Sequence, residues 1–266
     1  MKKSYDDRGR NREEAIKMTK LYQKSEITFA ILWIVIYTVG MGTLQNIFGF
    51  DSPWHMLGLI VISAAIILFV EKNGLMEKYG LAGWAKNSRA MLWFIPLWLL
   101  SCLNLFSGFQ PDYPVPGLLY AALSMAIVGF VEELIFRGFL FKAMLKDGSV
   151  TAAVIVSSVT FGMGHIINLF TGHELIATLT QVVFAVAMGF VFTLVFYKSG
   201  SLLPGILAHS FIDVTSVLAS DEGAPLVNMI VHVVVIAIAA AYCLYLAKRV
   251  ETPAINQAET ALCSTD

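Results

Sequence analysis

Two adjacent carboxylates and an arginine, Glu132, Glu133 and Arg137, stand in the middle of a long apolar run. Ionised side chains at bilayer depth cost roughly 3 kcal/mol each and mostly mark chemistry or a polar pathway. Glu133 and Arg137 are four residues apart, so they share a helical face and can pair. Glu132 points about 100° away around the helix and lacks that partner. We therefore interpret Glu132 as a candidate general base.

Two other apolar runs carry histidines. His165 lies in the first of them, and His209 precedes Asp213 by four residues in the second. Residues at that spacing lie on one face of a helix. At a rise of about 1.5 Å per residue, Glu132, His209 and Asp213 lie roughly 15–21 Å from the same membrane surface, so they can meet. His165 lies deeper, which requires its helix to be tilted or to begin beyond that surface.

The composition is that of an integral membrane protein. Of the 266 residues, 57% are hydrophobic and only 14% are charged, whereas soluble domains are about 25% charged. The formal net charge of −1 gives no basic footprint for nucleic acid. The three cysteines show neither disulfide nor metal spacing.

Apolar segments of membrane-spanning length predict an all-α polytopic fold with eight transmembrane helices. The segments lie at 27–44, 54–71, 90–107, 117–145, 150–169, 176–197, 202–219 and 225–247. Connections without Lys or Arg alternate with connections that carry them; those without are 45–53, 108–116, 170–175 and 220–224. The positive-inside rule then predicts a multi-pass protein of the cell membrane with both termini cytoplasmic.

Three motifs carry a resemblance to a known family. They read Glu132-Glu133-Leu-Ile-Phe-Arg137, Phe161-Gly-Met-Gly-His165 and His209-Ser-Phe-Ile-Asp213. Together they resemble the intramembrane CAAX-prenyl and bacteriocin-processing proteases, called the Abi or CPBP family. The pattern of that family is Glu-Glu-x-x-x-Arg, Phe-x-x-x-His and His-x-x-x-Asn/Asp on successive transmembrane helices. The resemblance covers roughly residues 115–215.

The resemblance implies a domain organisation around those motifs. Spans four to seven, residues 116–219, form the catalytic core. The parts outside it are a basic cytoplasmic tail at 1–26, three lineage-specific transmembrane helices at 27–115, and an eighth helix with a cytoplasmic tail at 220–266.

The resemblance also implies hydrolysis of a peptide bond in a membrane-associated substrate, such as a prenylated or leader peptide. In this interpretation Glu132 activates water, His165 holds or polarises it, and His209 with Asp213 completes the site. Glu133 and Arg137 give structural support. The partners are then a peptide or protein substrate and the lipid bilayer; the sequence gives no oligomeric state. We expect the cavity to open to the cytoplasm or laterally to the inner leaflet.

Two versions of the chemistry remain open. In one, His165, His209 and Asp213 hold Zn²⁺ with an open position for water. In the other, no metal is used, and the pair from span seven stabilises the oxyanion. An ionised aspartate only accepts hydrogen bonds, so Asp213 favours the metal version.

Two other functions compete with hydrolysis. A non-proteolytic immunity or scaffold protein of the same family would keep the motifs for stability. A proton-coupled transporter would also need buried Glu, His and Arg groups. The transporter predicts inverted repeats, and the sequence contains no repeat.

Overall fold

The computed structural model of the chain describes residues 17–85, 90–106, 114–219, 225–253 and 256. Helices and short connections make up these ranges, so the predicted all-α fold class is confirmed. Much of the predicted basic tail, and the C-terminal tail from 257 onward, lie outside the described residues.

Long apolar helices dominate the described ranges, where six of them are long and apolar enough to cross a bilayer and one more is shorter. The long helices are α1 (Glu26–Phe48), α2 (Pro53–Lys72), α5 (Val115–Lys146), α6 (Val150–Gly164, continued by a 3₁₀ turn His165–Thr171), α7 (Leu175–Ser199) and α9 (Pro225–Arg249), and the shorter one is α8 (Leu203–Leu218). Serines begin three of them: Ser25, Ser52 and Ser149 each accept a hydrogen bond from a backbone N–H three residues later.

The predicted third span, 90–107, is not one continuous helix. It consists of short pieces, namely α3 (Ala90–Trp93), α4 (Ile95–Ser101) and a 3₁₀ turn (Leu103–Phe106). Pro96 explains the break, because it has no N–H and its ring collides with the carbonyl four residues earlier. The segment still runs along the bundle. Tyr242 on α9 donates to the Trp93 carbonyl, and Asn104 donates to the Ile212 carbonyl on α8.

The bundle has two chemically distinct ends. We call the basic end the one where α1 begins and α2 and α5 finish. There Glu26 pairs with Lys146 at 3.1 Å and also with Lys78. Burial lowers the pKa of Lys78, but its hydrogen bonds to Glu26 and Tyr22 outweigh this, so that pKa lies above its usual value. The opposite end carries the connections 49–52 and 172–174, which contain neither Lys nor Arg; we call it the lysine-free end.

Glycines bring the motif-bearing helices into close contact. A Cβ on Gly129 of α5 would lie 2.5 Å from the Ser210 backbone nitrogen of α8. A Cβ on Gly162 of α6 would lie 2.8 Å from the Val186 backbone nitrogen of α7. Because no larger residue fits at either position, the backbones touch there, as small residues allow in membrane proteins.

The middle of α5 is wider than an α-helix. Residues Glu133–Phe141 form a π-helix, and every one of them is buried. Such segments are rare and often accompany functional sites. Here the π-helix begins at the second motif carboxylate, so it sets the direction in which Glu133 points relative to Glu132.

Candidate active site

Glu132 is the last residue of the regular α-helical part of α5, and its side chain is held by a tyrosine. Its Oε1 accepts a hydrogen bond of 2.7 Å from the hydroxyl of Tyr37 on α1. Its Oε2 makes no hydrogen bond to any described group and lies 3.6 Å from His209 Nε2. The residue is 9% exposed. One carboxylate oxygen is therefore anchored, and the other faces an imidazole across a gap.

His209 has a carboxylate near each of its ring nitrogens. Nδ1 lies 2.9 Å from Glu133 Oε1, and Nε2 lies 3.4 Å from Asp213 Oδ2. The ring stacks on Phe192 of α7, with centroids 5.0 Å apart and an interplanar angle of 20°. A carboxylate only accepts hydrogen bonds, so the proton on Nδ1 is assigned to the bond with Glu133. Nε2 is then the nitrogen that faces Glu132 and Asp213.

Glu133 and Arg137 form a fully buried ion pair. Arg137 Nη1 lies 2.9 Å from Glu133 Oε1, and both side chains are 0% exposed. The guanidinium carbon also lies 4.1 Å from the centroid of Phe161, a cation–π contact. The same Glu133 oxygen therefore faces both Arg137 and His209. The sequence predicted the first partner but not the second.

His165 reaches the site because α6 ends just before it. The helix finishes at Gly164, and His165 begins a tighter 3₁₀ turn. Its ring packs edge-on against Phe161, with centroids 5.6 Å apart, and Phe161 packs edge-on against His209 at 5.5 Å. Phe161 thus packs against both imidazoles, which gives a structural role to the phenylalanine of the second motif.

Glu132, His165, His209 and Asp213 all line one pocket of about 360 Å³. The four residues that the sequence proposed as catalytic, from three separate helices, therefore come together. From them the pocket extends to exposed residues at or toward the lysine-free end, including His173, Gln181 and Ser216.

The region of the chain that carries the site is similar to a known protein family. The family profile described as type II CAAX prenyl endopeptidase Rce1-like matches residues 114–215, the region that carries all three motifs. Over these residues the chain is similar to the Rce1-like family.

A relative with a similar description supports the assignment. The Bacillus subtilis (strain 168) protein described as "Putative membrane peptidase YdiL" is 21% identical over 221 residues, which cover 74% of this chain and 83% of the relative. No solved structure matches the chain significantly. Both matches are, by their descriptions, to peptidases, so the predicted resemblance is confirmed.

The side chains proposed as zinc ligands, His165, His209 and Asp213, all line the pocket. His209 Nδ1 is already engaged by Glu133, so only Nε2 could bind a metal. Among the described residues, no three His, Cys, Asp or Glu side chains are arranged to hold a metal ion together. In this arrangement His165, His209 and Asp213 share a pocket wall without forming a ligand cluster.

The sequence interpretation missed Tyr37. The first three spans were expected to be lineage-specific helices outside the catalytic core, yet α1 supplies the hydrogen bond to Glu132. One signal was available: Tyr37 lies well inside α1, and a buried tyrosine hydroxyl usually finds a hydrogen-bond partner. Its partner could not be identified, because the two residues are 95 positions apart.

Proposed function

We propose that the chain hydrolyses a peptide bond of a membrane-associated substrate, with Glu132 as the base that activates water. The observation that carries this proposal is the environment of Glu132. Its Oε1 is fixed by Tyr37, while its Oε2 has no hydrogen-bond partner among the described groups and lies 3.6 Å from His209 Nε2, and the residue lines the pocket. A carboxylate held in this way is positioned to accept a proton.

The proposed reaction comprises two proton transfers, the formation of a C–O bond and the cleavage of the C–N bond. A water molecule gives a proton to Glu132 Oε2 while its oxygen attacks the substrate carbonyl carbon. The carbonyl oxygen becomes an oxyanion, which an N–H of His165 and the Nε2–H of His209 stabilise. In this step His209 is the imidazolium, protonated at both ring nitrogens beside Glu132, Glu133 and Asp213. When the intermediate collapses, the C–N bond breaks, and Glu132 returns its proton to the departing amine. A carboxylic acid and an amine result, and the enzyme is unchanged.

The remaining motif residues position these groups. Glu133 accepts from His209 Nδ1 and so directs Nε2 toward Glu132. Arg137 balances the charge of Glu133 within 2.9 Å. Asp213 lies 3.4 Å from His209 Nε2 and orients that side of the ring. Each is a positioning residue, because none of these contacts is with the reacting atoms.

Glu132→Gln tests the proposal most directly. The amide keeps an oxygen that can accept from Tyr37, but it cannot take a proton from water. We expect hydrolysis to fall about 10²–10⁴-fold, the usual contribution of a general base, with an unchanged melting temperature. The assay is cleavage of fluorogenic peptides, with and without a prenylated cysteine, by protein in liposomes.

Glu174→Gln is the matched control, because Glu174 is exposed and lies outside the pocket. It should hydrolyse at the wild-type rate. A Glu132→Gln protein with full activity would contradict the assignment of the base. If the wild-type protein cleaves nothing, while both variants keep the biological effect, the immunity or scaffold alternative would be favoured.

We propose the version of this chemistry that uses side chains alone, because the three potential metal ligands do not cluster. Stringent chelation, followed by removal of the chelator, should leave the rate within about twofold of its starting value. The metal content of the same sample is measured in parallel. Loss of activity that returns with about one equivalent of zinc would overturn this version in favour of the zinc mechanism.

A further inference from the structure

We infer that the pocket receives its substrate from the non-cytoplasmic side of the membrane. The inference rests on the proposed function for the reaction itself and adds where the substrate comes from. The pocket runs from Glu132 toward one end of the bundle. On α1 the lining residues start at Tyr37 and continue to Gln45, toward the lysine-free end. On α8 they start at His209 and continue to Val217, toward the same end.

The connections at that end complete the wall. Phe50 lies between α1 and α2, and His173 lies just before α7; both line the pocket. The exposed residues among the lining, which include Gln181 and Ser216, lie on the same side of Glu132. The route from solvent to the carboxylate therefore starts at the lysine-free end.

The opposite direction is closed by α5. Every residue from 131 to 143 is buried, and the large side chains Phe136, Phe139, Leu140 and Phe141 are at most 3% exposed. These residues lie between Glu132 and the basic end. Interiors packed with such side chains leave few gaps as large as a water molecule, so substrate does not pass this way.

Charge indicates which end faces the cytoplasm. The chain has 18 Lys and Arg residues. Apart from Arg137, these residues all lie in the N-terminal tail, or in connections and helix ends on the basic side of the bundle. Those described include Lys72, Lys146, Lys198 and Arg249. Such asymmetry places the basic end in the cytoplasm, together with the start of α1 and the finish of α9. With this orientation, the inferred opening on the non-cytoplasmic side replaces the sequence-based expectation of an opening to the cytoplasm or to the inner leaflet.

The accessible side defines a substrate class. A peptide segment that is exported, or that lies at the outer surface of a membrane protein, can reach Glu132 directly. A lipidated C-terminus that stays in the cytoplasm cannot. The outer part of the pocket carries the amide side chains of Gln45, Asn168 and Gln181, with Asn168 donating to Gln181 at 2.8 Å, and the remaining amide groups can hydrogen-bond a peptide backbone.

Cysteine labelling in intact cells tests the orientation. The native Cys102, Cys243 and Cys263 are first replaced by serine, and single cysteines are then introduced as Glu174→Cys and Glu77→Cys. Both glutamates are exposed, the first at the lysine-free end and the second at the basic end. A Gram-positive host is used, so that a sulfonated, membrane-impermeant maleimide reaches the membrane directly. We expect labelling of Glu174→Cys in intact cells, and of Glu77→Cys only after lysis.

A second pair of variants tests the pocket itself. Ser216 lines the pocket and is exposed, whereas Leu207 on the same helix is 50% exposed and does not line it. Labelling of Ser216→Cys from outside should lower peptide hydrolysis at least tenfold in the subsequently purified protein. Leu207→Cys treated in the same way should keep its activity.

These results separate the inference from the proposed function. Labelling of Glu77→Cys in intact cells, or of Glu174→Cys only after lysis, would overturn the inference. Failure of the maleimide to reach Ser216→Cys from outside would overturn it as well. Hydrolysis by the unlabelled purified protein, and its loss in Glu132→Gln, would stand in each of these cases. Failure of the proposed function would instead show as no hydrolysis by any variant.

Discussion

Adjacent glutamates differ in role here because of their partners. Glu133 is fully buried between Arg137 and His209, so its charge is committed to the protein. Removing one partner of such a buried pair usually costs about 3–5 kcal/mol, because the other charge is left uncompensated. Glu132 accepts one hydrogen bond, from the Tyr37 hydroxyl to Oε1, and the residue lines the pocket. Glu133 Oε2 also has no hydrogen-bond partner among the described groups, but Glu133 does not line the pocket, so we assign the proposed chemistry to Glu132.

Tyr37→Phe should separate positioning from folding. The ring is kept, so packing is retained, but the hydrogen bond to Glu132 is lost. We expect kcat to fall about tenfold or more, with KM little changed, because a displacement of the base by about 1 Å can cost 10²-fold. Steady-state kinetics in liposomes provides the measurement.

Tyr242→Phe provides the comparison. Tyr242 is also buried, and its hydroxyl donates to the Trp93 carbonyl away from the pocket. The Tyr242→Phe protein should lose about 1 kcal/mol in its free energy of unfolding while keeping the wild-type kcat. Equal kinetic effects in the two variants would show that Tyr37 acts only through general stability.

At the scale of elements, the site depends on how closely α5 and α8 approach. Gly129 lies against the Ser210 backbone, and Ser210 Oγ donates to the Ala126 carbonyl of α5 at 2.8 Å. This contact lies one turn from Glu132 on one helix and next to His209 on the other. The distance between base and imidazole is therefore set by a glycine that takes no part in the chemistry.

Gly129→Ala should force the two helices apart, because the added Cβ would meet backbone atoms that cannot rotate away. We expect a loss of about 1–3 kcal/mol in stability, typical of overpacking, together with reduced hydrolysis. Gly40→Ala on α1 is the control: its Cβ would meet nothing within 4 Å, and alanine favours helix formation by about 1 kcal/mol. Thermal unfolding in detergent and peptide cleavage measure both effects. A Gly129→Ala protein as stable as the control would contradict the close approach.

At the scale of the whole molecule, the segment after α9 folds back against the basic end. Lys142 donates to Asn256 at 2.8 Å, and Asn256 donates to the Tyr197 carbonyl at 2.6 Å. Lys198 donates to the Val250 carbonyl at 2.8 Å. Both lysines are buried, so these acceptors compensate for the burial of two ammonium groups. The C-terminal segment thus ties α5, α7 and α9 together.

Truncation after Arg249 should lower the melting temperature, because Lys142 and Lys198 each lose an acceptor that the segment supplies. Each lost hydrogen bond to a charged group costs about 1.5–3 kcal/mol. A chain that ends after Asn256 keeps all three contacts and should melt like the full-length protein. Identical melting of the two truncated forms would show that the contacts contribute nothing to stability.

The sequence by itself determined the membrane class, the three motifs and the pairing of Glu133 with Arg137, because hydropathy and four-residue spacing are local properties of a helix. Tertiary structure alone decided that Tyr37 holds Glu132, that Glu133 also holds His209, and that the pocket runs toward the lysine-free end. The first two of these features join residues that lie 95 and 76 positions apart in the sequence. Contacts at such separations depend on which helices are neighbours and how they are rotated, and no local pattern records either.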